Sequence, residues 1–151
     1  MFAGLILWAC AAMGSAATAP VLPMPAAPHH GNLLRLGKSF AYVEFVLDPT
    51  KGELTLYVLD AQAENPIRLA QEAVRVSGTA VGHPFTVKMD AVDVPETGEK
   101  KWDTSVFRGE TKDLVGVDHF DGAIFFIRIK GNNFSKTRFK YVGDTKETTQ
   151  D

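Results

Sequence analysis

Phe40-Ala41-Tyr42-Val43-Glu44-Phe45-Val46-Leu47 is followed by Asp48-Pro49-Thr50-Lys51-Gly52 and then by Leu54-Thr55-Leu56-Tyr57-Val58-Leu59. Side chains alternate sides along a strand. The first run therefore puts Ala41, Val43, Phe45 and Leu47 on one face and Phe40, Tyr42, Glu44 and Val46 on the other. The return run puts Leu54, Leu56 and Val58 together. Between the runs, proline pre-sets φ and glycine accepts a positive φ, which is the chemistry of a tight turn. The stretch predicts a β-hairpin.

The pattern repeats outward from this hairpin. Residues 67–69 predict a short edge segment, residues 73–77 a strand, and residues 85–89 another after a loop over 78–84. Shorter strands are predicted at 102–107 and 114–117, around Gly109. Residues 123–129 form the most hydrophobic run, with Phe125, Ile127 and Ile129 expected on the core face and Ile124 and Phe126 opposite. Gly131-Asn132-Asn133 is a hairpin turn signal. The last strand, 134–142, sets Phe139 and Tyr141 against Lys136, Arg138 and Lys140. No helical periodicity of useful length intervenes. About seven strands with regular turn signals predict an all-β, antiparallel two-sheet sandwich of the immunoglobulin or fibronectin-III kind. It should span residues 32–142, with Val43, Phe45, Leu56, Val58, Phe125, Ile127 and Phe139 in its core.

Residues 1–17 predict a signal peptide: no charged side chain occurs, an apolar stretch from Phe2 to Met13 gives way to small residues, and cleavage fits after Ala16 or Ala17. The chain departs from the usual pattern in having no Lys or Arg ahead of the apolar stretch. A periplasmic or secreted protein is expected. Leu7-Trp8-Ala9-Cys10 loosely resembles a lipobox, so a lipoprotein anchored through Cys10 is the alternative. Cys10 is the sole cysteine, which leaves the mature chain without a disulfide, a thiol nucleophile or a thiolate metal site. Residues 18–31 are a Pro-rich linker ending in His29-His30-Gly31, and residues 143–151 a polar tail.

The length of 151 residues favours one domain. A net charge of −2 gives no large basic field of the kind nucleic-acid binding needs. After the leader no run of about 20 apolar residues occurs, so no membrane span is expected in the mature chain.

His29 and His30 are the sharpest candidates for chemistry. Imidazole is a good ligand for copper and zinc, and a flexible segment can turn two rings toward one ion. Two ligands bind weakly; His119, flanked by Asp118 and Asp121, or His83 would have to complete the site. The alternative is a solvated linker with two incidental histidines. Met24 and Met89 are possible soft copper ligands but read more simply as linker and core. Asp118-His119-Phe120-Asp121 and Ser105 supply triad residue types without a nucleophile elbow. Glu96, Glu99 and Asp103 read as a solvated loop. No catalytic residue is assigned, and the chain is not expected to be an enzyme. Lys136, Arg138 and Lys140 are expected to keep one strand face soluble and discourage edge pairing; a docking patch for a partner is the alternative.

From His29-His30-Gly31 to Tyr141 the chain resembles a group of small secreted bacterial β-sandwich proteins. The similarity rests on the His-His-Gly segment, the strands Tyr42 to Asp48 and Leu54 to Asp60, Ser105-Val106-Phe107, and the closing Gly-turn hairpin. Similar modules are associated with heavy-metal efflux adaptors of the bacterial envelope. The resemblance implies an exported envelope binding or accessory module linked to copper or zinc handling, with an efflux adaptor as partner. A structural or protein-interaction domain with no small ligand is the alternative.

Overall fold

A computed structural model describes residues 23–143. The expected cleavage sites, Cys10 and the tail from residue 144 lie outside the described residues. Eight strands run β1 (Asn32–Leu36), β2 (Ala41–Asp48), β3 (Glu53–Leu59), β4 (Ala73–Ala80), β5 (His83–Ala91), β6 (Val106–Glu110), β7 (His119–Ile129) and β8 (Asn132–Val142). The only helical element among the described residues is a single 3-10 turn, Lys112–Leu114.

The chain is all-β and antiparallel, as expected, but the strands do not divide into two sheets. They form one hydrogen-bonded order, β1-β2-β3-β6-β5-β4-β7-β8, coiled nearly into a barrel. The reason lies in β6, which bridges the β2–β3 and β4–β5 hairpins by pairing with both β3 and β5. Hairpin β7–β8 then joins through the β4–β7 pairing.

A side chain closes the seam between β1 and β8. Asn32 Nδ2 donates to the Val142 carbonyl at 2.6 Å, and the Val142 N–H donates to Asn32 Oδ1 at 3.1 Å. One amide thus does what a ladder step would do. Pairing of β1 with β2 begins at Asn32↔Phe45. Beyond it the Leu47 N–H donates to the Tyr141 hydroxyl at 3.2 Å. Behind the seam Phe45 stacks on Phe139, centroids 4.1 Å apart.

The alternation read from β2 and β3 holds: Val43, Phe45, Leu54, Leu56 and Val58 are fully buried. Strand β2 is buried on its outer face too, where Tyr42, Leu59 and Ala63 form a satellite cluster with Leu33 against it.

The assignment of Phe125 to the core is wrong. Phe120, Ile124, Ile127 and Ile129 are buried, whereas Phe125 is 64% exposed. The inward positions on β7 are even-numbered up to Ile124 and odd-numbered from Ile127. Strand β8 switches at the same level, from Tyr141 and Phe139 to Phe134. The pairs Ile124↔Thr137 and Phe126↔Ser135 keep one register across the switch. Lys136, opposite Phe125, has φ of 51°. Each strand therefore turns over by one residue together with its partner, and strict alternation assigns the half beyond Phe125 one residue out of phase.

Two hairpins are tighter than expected. Val81-Gly82 (φ 50° and 77°) and Lys130-Gly131 (φ 47° and 83°) are two-residue turns with both central residues at positive φ, the geometry that matches strand twist. The loop expected over 78–84 is therefore mostly strand.

Alternating strand direction sorts the connections to two ends. One end carries the segment before β1, the β2–β3 and β4–β5 turns, and residues 111–118. The other carries the β3–β4 and β5–β6 connections and the β1–β2 and β7–β8 turns.

Candidate functional site

All four histidines of the chain, His29, His30, His83 and His119, fall at one end of the barrel. They do not form a ready metal site. Among the described residues no group of three or more His, Cys, Asp or Glu side chains is placed to hold a metal ion. Nor is the His29-His30 segment a free linker.

The carboxylate of Glu44, fully buried on the outer face of β2, draws in three donors. The His29 N–H reaches Oε1 at 2.9 Å, the Gly31 N–H reaches the same oxygen at 2.8 Å, and His29 Nδ1 lies 2.7 Å from Oε2. The His29 ring stacks on Tyr57 with centroids 3.7 Å apart. Tyr57 is the cross-strand neighbour of Glu44, so one register step supplies both anchor and platform. Gly31 is required because a Cβ there would run into the Phe45 carbonyl oxygen and the Val46 side chain. His30 takes a left-handed conformation, φ 59°, as the chain turns between Pro28 and β1. His-His-Gly is thus an arm clasped to the sheet. Its signal in the sequence was Glu44, a carboxylate within an apolar run.

His29, His30 and Asp118 line one cleft of about 570 Å³ at this end. His119 Nδ1 pairs with Asp118 Oδ1 at 2.5 Å, exposed to solvent. Met24 is exposed and Met89 is buried in the core. Ser105 immediately precedes β6, at the opposite end of the barrel from His119, and its hydroxyl donates to Glu99 at 2.6 Å. These two triad residue types do not meet.

Glu99 is not solvated, contrary to expectation. It is buried and accepts from the Ser105 N–H, the Ser105 hydroxyl and the Thr97 hydroxyl, with Arg68 nearby at 3.9 Å. Burial alone would raise its carboxyl, but the Ser105 and Thr97 hydrogen bonds and the Arg68 charge outweigh burial and hold it below its ordinary range. This carboxylate braces the β5–β6 connection. At its tip, Lys100 and Asp103 exchange main-chain hydrogen bonds at 3.2 and 2.8 Å around Lys101 and Trp102. Trp102 sits at φ 73° with 58% of its surface exposed.

A groove of about 850 Å³ lies on the outer face of β5, β4, β7 and β8. Register places Thr86, Ser77, Ala123 and Arg138 in one row across the four strands and Pro84, Thr79, Asp121 and Lys140 in the next. Gly78 and Gly122 are paired beneath; a Cβ at Gly78 would strike the Asp121 carbonyl, and one at Gly122 the Phe139 ring. Further along the same face stand Arg75, Lys136 and the exposed ring of Phe125. Among the described residues, Arg75, Lys136, Arg138 and Lys140 make no ion pair. The strand face expected to be merely soluble is one wall of a groove. Sequence patterning showed the three cations of β8 but not the strands they would face.

No protein family matches the chain, and neither does any curated protein or solved structure.

Proposed function

We propose that this chain is an exported module of the bacterial envelope that acts by binding, not by catalysis, and that the β5-β4-β7-β8 groove is its binding face. One observation carries the binding face: in a chain of net charge −2, Arg138 and Lys140 stand without an ion pair in the wall of the groove, with Arg75 and Lys136 further along the same sheet face. Like charges repel, and folding gains nothing from grouping them. An anionic partner does gain, in association rate and in specificity. An envelope partner such as an efflux adaptor fits this role if it presents an acidic surface.

The test is retention of the mature protein on a sulfonate matrix at pH 7.5 and low salt. It should bind despite its net charge and elute as salt screens the patch, at about 0.1–0.2 M. The double variant Arg138→Gln/Lys140→Gln should pass through. A wild-type protein that is not retained, or a variant retained equally, overturns the proposal.

A second reading, copper or zinc binding at the clasped arm, is favoured by one feature. A metal-bound histidine commonly gives its other ring N–H to a carboxylate, and His29 Nδ1 meets buried Glu44, leaving Nε2 as a ligand atom beside His30. Calorimetric titration with Cu(II) and Zn(II) tests it against His30→Ala, which leaves the clasp intact. Equal affinity in the two proteins removes His30 from any site.

A further inference from the structure

We propose that the groove binds an acidic saccharide chain, whose hydroxyls meet Ser77, Thr79 and Thr86 and whose anionic groups meet Arg138 and Lys140. The inference rests on this groove being the binding face. Three observations narrow the ligand.

The floor carries three hydroxyls that no other described side chain or main-chain group engages. Among the described residues, Ser77, Thr79 and Thr86 make no side-chain hydrogen bond. They project from adjacent strands, Thr86 opposite Ser77 and Thr79 two residues further along. Neighbouring strands lie about 4.8 Å apart and alternate residues about 7 Å apart, so these groups form a small grid on the scale of a sugar ring.

The cations are spaced and share their face with an acid. Arg138 presents a planar fork suited to a carboxylate or sulfate, and Lys140 a compact charge two residues on. Asp121 lies between Thr79 and Lys140 in its row. A densely charged polyphosphate or nucleic-acid strand would be repelled there. A sugar with separated charges can donate a hydroxyl to it. Two residues beyond Ala123, the exposed Phe125 ring offers a flat hydrocarbon surface at the groove's end.

The groove's central strands are β4 and β7, and its far wall is the terminal strand β8. Strands β4 and β7 have partners on both sides, so an extended peptide lying over them would find no free main-chain groups to pair with, and strand addition is closed to it there. Recognition over β4 and β7 must come from side chains, and the polar ones lining the groove are three hydroxyls, two cations and Asp121.

The experiment titrates isotope-labelled mature protein with oligogalacturonate, followed by amide chemical shifts. Equal-length neutral dextran, oligoglutamate and oligothymidylate are the other arms. Saturable shifts at the groove positions of β4, β5, β7 and β8 with oligogalacturonate alone are expected. Thr79→Val and Thr86→Val, which keep the charge and suit a strand, should each weaken binding by roughly fivefold, the worth of one hydrogen bond. If oligoglutamate or oligothymidylate binds equally well, or if the valine variants bind as wild type, the saccharide assignment fails while the binding face survives. If no anion shifts the groove resonances, both fail together.

Discussion

Phe45 and Phe125 carry the same side chain into opposite surroundings, 0% and 64% exposed. Phe45→Ala removes a ring stacked against Phe139 and should cost about 3–5 kcal/mol. Phe125→Ala should cost under about 0.5 kcal/mol, as surface changes do. Urea unfolding of the two variants measures both. Glu99 gives the residue-level pH dependence. Its folded carboxyl is held below the ordinary value of 4.5, so the unfolded chain takes up its proton first as pH falls. The stability this contributes is complete above about 4.5 and is lost as pH falls through the lower folded value. Asp60, held at about 2 chiefly by Asn65, acts in the same direction, but in an exposed loop where water screens it. Glu99→Gln should therefore be clearly destabilised at pH 7, with the gap to wild type narrowing as pH falls below about 4.5; a gap independent of pH would contradict this. Alternation within a strand was legible because neighbouring residues decide it. The burial of Glu44 and Glu99 was not, because their donors come from another part of the chain: His29 and Gly31 for one, Thr97 and Ser105 for the other.

Among the elements, the turn around Trp102 holds a bulky residue at positive φ. A bulky residue at positive φ costs roughly 1–2 kcal/mol relative to its usual conformation, and the bracing around Glu99 holds it there. Glycine takes that conformation freely but loses more chain entropy on folding. Trp102→Gly should thus raise stability by roughly 0.5–1 kcal/mol, read as a higher Tm; a lower Tm would mean that the indole has packing its exposure conceals. Strand β1 escaped the sequence reading for a related reason. Asn32–Leu36 is short and its polar and apolar residues do not alternate; it is a strand because β2 pairs with it. The turnover at Phe125 and Lys136 likewise belongs to two strands jointly, and neither strand's own pattern displays it.

At the scale of the whole molecule, the division expected between two sheets was out of reach of local patterning. A sandwich and a coiled single sheet use the same alternating strands and differ in whether β6 bridges the hairpins. The seam at Asn32 is where the barrel is weakest. Asn32→Ala removes both side-chain bonds to Val142 and should speed amide exchange in β1 and at the end of β8, with β4 and β5 unchanged; uniform acceleration across the sheet would instead make the seam part of the global folding unit. The same closure sets how the protein bears load. The described chain enters through β1 and leaves through β8 at one rim, with Asn32 bonded to Val142. Tension applied between the N-terminal and C-terminal sides would fall on the His29 and Gly31 bonds to Glu44 and on the Gly143 bond to Asp118, and then on that amide. It would then peel β1 from its neighbours one pair at a time, as a zipper opens, instead of shearing many bonds at once. A tether drawn through these two ends should yield at low force, while the groove across β4 and β7, away from the seam, keeps its shape longest.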